Sequence, residues 1–266
     1  MFYNLYMKKR GSTTNRTTIQ KIKSSLSRIA EKIAVEKCYK RYSDLDFNPK
    51  IGRIGRGLIF DDVERKNSKG VVIVGLNPGK TTKEERTFIL AYPDYRDQIE
   101  FWLKKTNTHS YYYQPLRRLV DQLKIEGPIL WTELVKCESV INGILSVPTI
   151  RDDINRFLFK EVEAIPKSWP LIGVGTKAFE ILAYRFPDRL IIGVPHPSAF
   201  GNFWRLFDEN KRLRSHIRRK SIKAISSNKP LALMLKNDSL LNVVKLAAWF
   251  SERLLIKDSR SECFGQ

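Results

Sequence analysis

Two short polar loops carry side chains able to do chemistry. Gly75-Leu76-Asn77-Pro78-Gly79-Lys80 follows the apolar run Val71-Val72-Ile73-Val74. Pro195-His196-Pro197-Ser198-Ala199-Phe200 follows Leu190-Ile191-Ile192-Gly193-Val194. A continuous apolar run closed by Gly, Asn or Pro predicts a buried parallel strand ending in a tight turn. In open α/β sheets, ligands bind at the loops leaving the carboxyl ends of strands. A lone His between prolines is usually an ordinary turn residue. Here it and Asn77 close two parallel strands at one sheet edge, which makes the two loops the candidate site.

The first chemistry to weigh is phosphate binding. Gly75 to Thr81 approaches the phosphate-loop pattern G-x-x-x-x-G-K-[ST], but only three residues separate Gly75 from Gly79. Such a loop wraps phosphate with successive N–H groups, and Pro78 removes one of them. Leu58-Ile59-Phe60-Asp61-Asp62 imitates an acidic metal-binding strand, yet it precedes the loop it would have to follow. A nucleotide hydrolase is therefore a secondary alternative.

The elements that must position these loops alternate in type. Val71–Val74, Ile129–Val135, Leu171–Gly175 and Leu190–Val194 read as four core strands, and Leu58-Ile59-Phe60 as a short edge strand. Leu116, Leu119, Val120 and Leu123 mark one helix face; Ile150, Ile154, Phe157, Leu158 and Val162 mark another. Thr176 is placed to cap a helix ending near Arg185. Residues 91–110 and 226–238 read as irregular connections. The pattern predicts an α/β fold: a three-layer α/β/α domain over residues 51–225 with a central four-stranded, mainly parallel sheet. Residues 1–50 form a basic arm and an amphipathic helix, with Ile19, Ile22, Leu26, Ile29 and Ile33 at helical spacing. Residues 226–266 form a C-terminal helical extension packed on the core, its helix running over about 239–256.

The formal net charge of +20 favours a polyanionic partner, nucleic acid foremost and an anionic membrane surface second, or else a solvated basic surface. Residues 211–223 hold Lys211, Arg212, Arg214, Arg218, Arg219, Lys220 and Lys223 with no acid among them. Cys38, Cys137 and Cys263 are far apart and form no C-x-x-C. That argues against a disulfide framework and against zinc or iron–sulfur ligation, so no metal and no cofactor is expected. The expected compartment is intracellular, the expected state a monomer, and no apolar run is long enough to span a bilayer. The first 30 residues lack Asp and Glu, a composition shared by organelle transit peptides and basic nucleic-acid-binding arms.

Four segments resemble the uracil-DNA glycosylase superfamily. Gly75-Leu76-Asn77-Pro78-Gly79 resembles its first motif in the Asn-bearing form, and His196-Pro197-Ser198-Ala199 its second. Trp131-Thr132-Glu133-Leu134-Val135-Lys136-Cys137 is similar to the strand that reads the base in several branches, and Leu171 to Leu182 to the strand and helix before the second motif. The resemblance covers roughly residues 51–210. It implies a metal-independent enzyme that takes a uracil or other damaged or modified base out of duplex or single-stranded DNA and hydrolyses its N-glycosidic bond. Such a bond breaks through an oxocarbenium-like sugar, a strong electrophile, so the attacking water needs position more than a strong base. The resemblance makes Asn77 the residue that holds this water through its carbonyl. It makes His196 the donor that stabilises the departing anionic base. Glu133 would read the base edge, with Tyr92 or Tyr112 (or the neighbouring Tyr111 and Tyr113) stacking on it. Gly79, Lys80 and Ser198 would face the DNA, and Arg214, Arg218 and Arg219 would bind phosphates irrespective of sequence. Phe200 stands where the family places an apolar wedge; an ordinary loop aromatic packed on the core explains it equally.

Two positions depart from the family pattern. Several branches read uracil with an Asn where this chain has Glu133. An ionised carboxylate only accepts hydrogen bonds. Either Glu133 is protonated, or another residue reads the base, or the base is not uracil. Cys137 is the one survivor of the cysteines that hold an iron–sulfur cluster in related branches, so no cluster is expected. A protein that kept the fold and binds nucleic acid without catalysis is the main alternative.

Overall fold

The computed structural model describes residues 13–62, 67–107, 111–198 and 202–235. Helix α1 (Thr13–Val35) leads into β1 (Ile59–Asp61) and β2 (Val71–Gly75). Three helices follow, α2 (Lys83–Ala91), α3 (Tyr95–Asn107) and α4 (Tyr113–Gln122), before β3 (Ile129–Glu133). Next, α5 (Val147–Asp153) continues through a wide π turn at Ile154–Leu158 into α6 (Phe159–Glu163). The described chain closes with β4 (Leu171–Val174), α7 (Thr176–Arg185), β5 (Leu190–Val194), α8 (Ser215–Ser227) and β6 (Leu231–Met234).

The strands form one six-stranded sheet in the order β1-β3-β2-β4-β5-β6, flanked by helices in an α/β/α arrangement. β1 runs antiparallel to β3, and the other pairs are parallel. Every residue of β2, β4 and β5 is buried, as parallel strands covered on both faces require. The chain passes from β2 to β3 on one side and then to β4 on the other. The direction of winding therefore reverses between β2 and β4, where open α/β sheets place their ligands.

The expected four core strands are present as β3-β2-β4-β5 and the expected edge strand as β1, and β6 widens the sheet at the other edge. β6 lies where a loose connection was expected. Leu231-Ala232-Leu233-Met234 has no β-branched residue, and its strand conformation comes from pairing with β5. Gly193 leaves room for it: a Cβ there would lie 2.5 Å from Met234 Sδ. The sheet thus crosses the expected boundary at residue 225. Residues 95–107, expected to be irregular, form α3; Tyr95, Ile99, Trp102 and Thr106 recur at helical spacing and are buried or partly buried. Thr176 does not cap α7. The cap position falls on Gly175 at φ +86°, without a side-chain hydrogen bond. In α1, Ile22, Leu26, Ala30 and Ile33 are buried in the common core. Phe200, the helix expected over about 239–256 and Cys263 lie outside the described residues.

Under the end of β3 sits a wholly buried ion pair. Lys136 Nζ lies 2.8 Å from Glu161 Oε1, with neither side chain exposed. The ammonium also donates to Thr132 Oγ1 (2.6 Å) and to the Glu133 carbonyl (2.7 Å). Thr132 in turn donates to Glu161 Oε2 at 2.6 Å, so β3 is fastened to α6. Removing one partner of such a pair strands a buried charge and costs about 3–5 kcal/mol, whereas apolar replacement of both is often neutral. Lys136→Ala should therefore lower unfolding stability by about that amount in urea titration, and Lys136→Met with Glu161→Leu should recover most of it.

Candidate functional site

β2 and β3 end side by side. Gly75 is registered with Glu133, and the ladder runs on as Leu134 N donates to Gly75 O (2.9 Å) and Val135 N to Leu76 O (3.0 Å). β5 ends near β4, with Gly175 N donating to Val194 O at 2.7 Å. The loops beyond these strand ends surround a cavity of about 580 Å³, within the roughly 300–1,000 Å³ common for ligand sites. Asn77, Gly79, Tyr112, Glu133, His196 and Ser198 all line it. Residues far apart in the chain are thus brought together at one sheet edge.

The absence of a side chain at Gly75 makes room for the Glu133 carboxyl. A Cβ at Gly75 would lie 1.9 Å from Glu133 Oε2 and 2.9 Å from the Tyr112 hydroxyl oxygen. Glu133 Oε2 is buried and has no hydrogen-bond partner among the described residues. Burial pushes the Glu133 carboxyl up to about 8; Lys136 and Arg56 pull it down, Glu161 pushes it further up, and burial prevails. At neutral pH it is then a carboxylic acid with one O–H to donate and a carbonyl to accept. Of the three explanations open for this position, its surroundings favour the protonated one.

His196 is fixed in one tautomer. The Ser198 backbone N–H donates to Nδ1 at 3.2 Å, and the Ser198 hydroxyl lies 2.7 Å from the same atom. Nδ1 is therefore an acceptor, and the proton of the neutral ring belongs on Nε2. Desolvation lowers the imidazole pKa, which keeps the ring neutral at physiological pH. Asn77 Nδ2 donates to Pro78 O (3.1 Å) and Ser139 Oγ (3.3 Å). Its carbonyl oxygen is left available among the described residues.

An aromatic wall closes one side. Tyr112 lies 5.3 Å from the His196 ring, Tyr113 meets Tyr112 edge-on at 5.2 Å, and Trp131 meets Tyr113 edge-on at 5.0 Å. In the cavity lining, Trp131 Nε1 is likewise buried without a hydrogen-bond partner among the described residues. Arg56, Glu85, Trp102 and Lys105 also line the cavity, and sequence reasoning missed them. Trp102 Nε1 donates to Glu85 Oε1 (2.8 Å), while Arg56 and Lys105 lie 3.4 and 3.5 Å from the same carboxylate. One signal was present: Thr82 and Glu85 form a reciprocal capping box that starts α2.

Other expected residues lie elsewhere. Tyr92 is 51% exposed and stacks on Phe88 at 4.7 Å, and Tyr111 is 94% exposed; neither lines the cavity. Lys80 points its ammonium at Ser139 O (2.6 Å), Val140 O (3.2 Å) and Asp46 (3.3 Å). It fastens a loop instead of facing the cavity. Arg214, Arg218 and Arg219 are exposed at the start of α8, away from the cavity lining. Among the described residues no group of three or more His, Cys, Asp and Glu could hold a metal ion.

The Glu133 shift makes stability depend on pH. Its folded pKa lies above the unfolded value of 4.5, so the folded state binds the proton more tightly. Between 4.5 and about 8 the unfolded chain ionises first, and the native state loses stability as pH rises. Glu133→Gln has no such proton. Its melting temperature should exceed that of the unsubstituted protein increasingly from mildly acidic to mildly alkaline buffer, and the gap should close below the unfolded pKa. No helix among the described residues is long and apolar enough to cross a membrane. No protein-family model matches the chain, and no curated protein matches its sequence.

Proposed function

We propose that the protein is a DNA N-glycosylase, acting as a monomer inside the cell, that hydrolyses the bond between deoxyribose and a base held in this cavity. The observation that carries the proposal is the gathering of Asn77, Glu133 and His196, from the ends of three strands, around one cavity walled by Tyr112 and Tyr113. In this scheme the C1′–N bond breaks and its electron pair leaves with the base. The proton on His196 Nε2 is offered to the oxygen where that negative charge gathers. A water held by the Asn77 carbonyl adds to C1′ of the oxocarbenium-like sugar. The proton it releases ends on the departed base, leaving free base and an abasic site. Tyr112 supplies an aromatic face for the extruded base, and the exposed arginines of α8 bind phosphates.

A neutral Glu133 suits a base edge with N–H beside C=O, as in uracil, thymine or hypoxanthine. Its carbonyl would accept from the ring N–H and its hydroxyl would donate to the ring carbonyl. Once ionised, it could no longer donate, and it would repel that carbonyl oxygen. Activity on such bases should therefore fall as pH rises through about 8.

The test uses oligonucleotides carrying single uracil, mismatched thymine, hypoxanthine or modified cytosine, incubated without metal and then treated with alkali to cleave abasic sites. Strand breaks should appear on at least one base with the N–H/C=O edge, and Asn77→Ala and His196→Ala should each reduce them by about 100-fold or more. Glu133→Gln, which keeps a donor and an acceptor at every pH, should retain activity and lose the alkaline decline. Salt-sensitive DNA binding with no breaks on any substrate would instead identify a non-catalytic nucleic-acid-binding protein.

A further inference from the structure

The segment from Ser139 to Val147 presents apolar side chains to solvent beside the cavity mouth. Val140, Ile141 and Ile144 are 51%, 62% and 60% exposed. Between them, Asn142 and Gly143 line the cavity. Single exposed hydrophobics need no explanation, but several grouped at the rim of a site mark an interaction surface.

The loop is held firmly while its tip is left bare. Lys80 Nζ bonds to the carbonyls of Ser139 and Val140 at 2.6 and 3.2 Å. Val140 N donates to Asp44 O at 2.9 Å, and Ile144 N closes a tight turn onto Ile141 O at 3.0 Å. Ser139 Oγ accepts from Gly143 N (3.1 Å) and from Asn77 Nδ2 (3.3 Å). Leu145 is buried as an anchor, and Ser146 N donates to Asp44 Oδ2 at 2.6 Å. A tip of β-branched residues on such a frame has few rotamers to lose on burial.

We propose that Ile141 and Ile144 insert into the base stack of a duplex, next to the base that enters the cavity. This rests on the glycosylase proposal for what occupies the cavity. Continuity and charge select the occupant. The loop that carries the tip also lines the mouth, so whatever enters the cavity brings its neighbours against the tip. A chain of net charge +20 attracts a polyanion, and in a duplex the apolar surface that a tip can reach lies between base pairs. Apolar wedges of this kind unstack a step and hold open the gap left by an extruded base. The tip lies on the loop after β3, far in sequence from Phe200.

The test compares the unsubstituted protein with the Ile141→Ser/Ile144→Ser double variant. Affinity is measured by fluorescence anisotropy for a duplex and for the matching single strand, each carrying uracil beside 2-aminopurine, whose emission rises when it unstacks. The variant should bind the duplex about tenfold or more weakly and lose the emission rise, with single-strand affinity unchanged. Duplex binding and emission equal to those of the unsubstituted protein would overturn the insertion, whether or not the base is excised. Equal weakening on duplex and single strand would also overturn it, since a wedge needs a stack. If the unsubstituted protein unstacks the duplex but removes no base from any substrate, and the variant loses the unstacking, the insertion stands and the glycosylase proposal falls.

Discussion

A lysine ammonium taken wholly out of water must be met by oxygens, and Lys136 is met by Thr132, the Glu133 carbonyl and both oxygens of Glu161. Its backbone N–H is held as well, by Asp153 Oδ2 at 2.7 Å. One residue thus binds the end of β3 to both parts of the bent helix behind it. The pair also acts on the charge next door. Lys136 pulls the Glu133 carboxyl down and Glu161 pushes it up, and burial prevails over both. The position of Glu133 thus depends on this buried contact, while its burial sets its protonation.

Charge is divided between the outside and the cavity. The outer face of α8 carries exposed Arg218, Arg219, Lys220 and Lys223. Inside, Glu85 is surrounded by Arg56, Lys105 and the Trp102 N–H, Glu133 is held neutral, and His196 is uncharged. A basic exterior with a nearly neutral interior suits a ligand whose backbone is anionic and whose inserted portion is not. It also explains why composition alone could suggest a partner without suggesting what the cavity does.

What could be read from the sequence followed the strength of its periodic signal. β2, β4 and β5 are uniformly apolar runs with sharp ends, and Asn77 and His196 were visible because they stand where such runs stop. Tyr112 belonged to a set of four tyrosines that pattern could not rank, since their separation depends on how α4 is turned toward the cavity. α3 was hidden by Pro93 and by aromatic residues whose partners lie on α2, as with Phe101 on Phe88 at 4.3 Å. β6 was hidden because a short edge strand takes its conformation from its neighbour. The Arg56–Glu85–Lys105 side of the cavity joins distant segments, and nothing local announces it. Residue types leave the protonation of Glu133 open, because burial, which pushes its carboxyl toward the neutral form, is set by the fold.

Two of the five tryptophans, Trp102 and Trp131, stand in the cavity wall. One indole N–H is committed to Glu85, and the other has no partner among the described residues. Indole emission shifts with the water, charge and hydrogen bonds around the ring. Both rings are almost fully buried, so a molecule that fills the cavity changes the packing and the charge around them. The protein therefore carries its own optical gauge of whether the site is occupied, without a label.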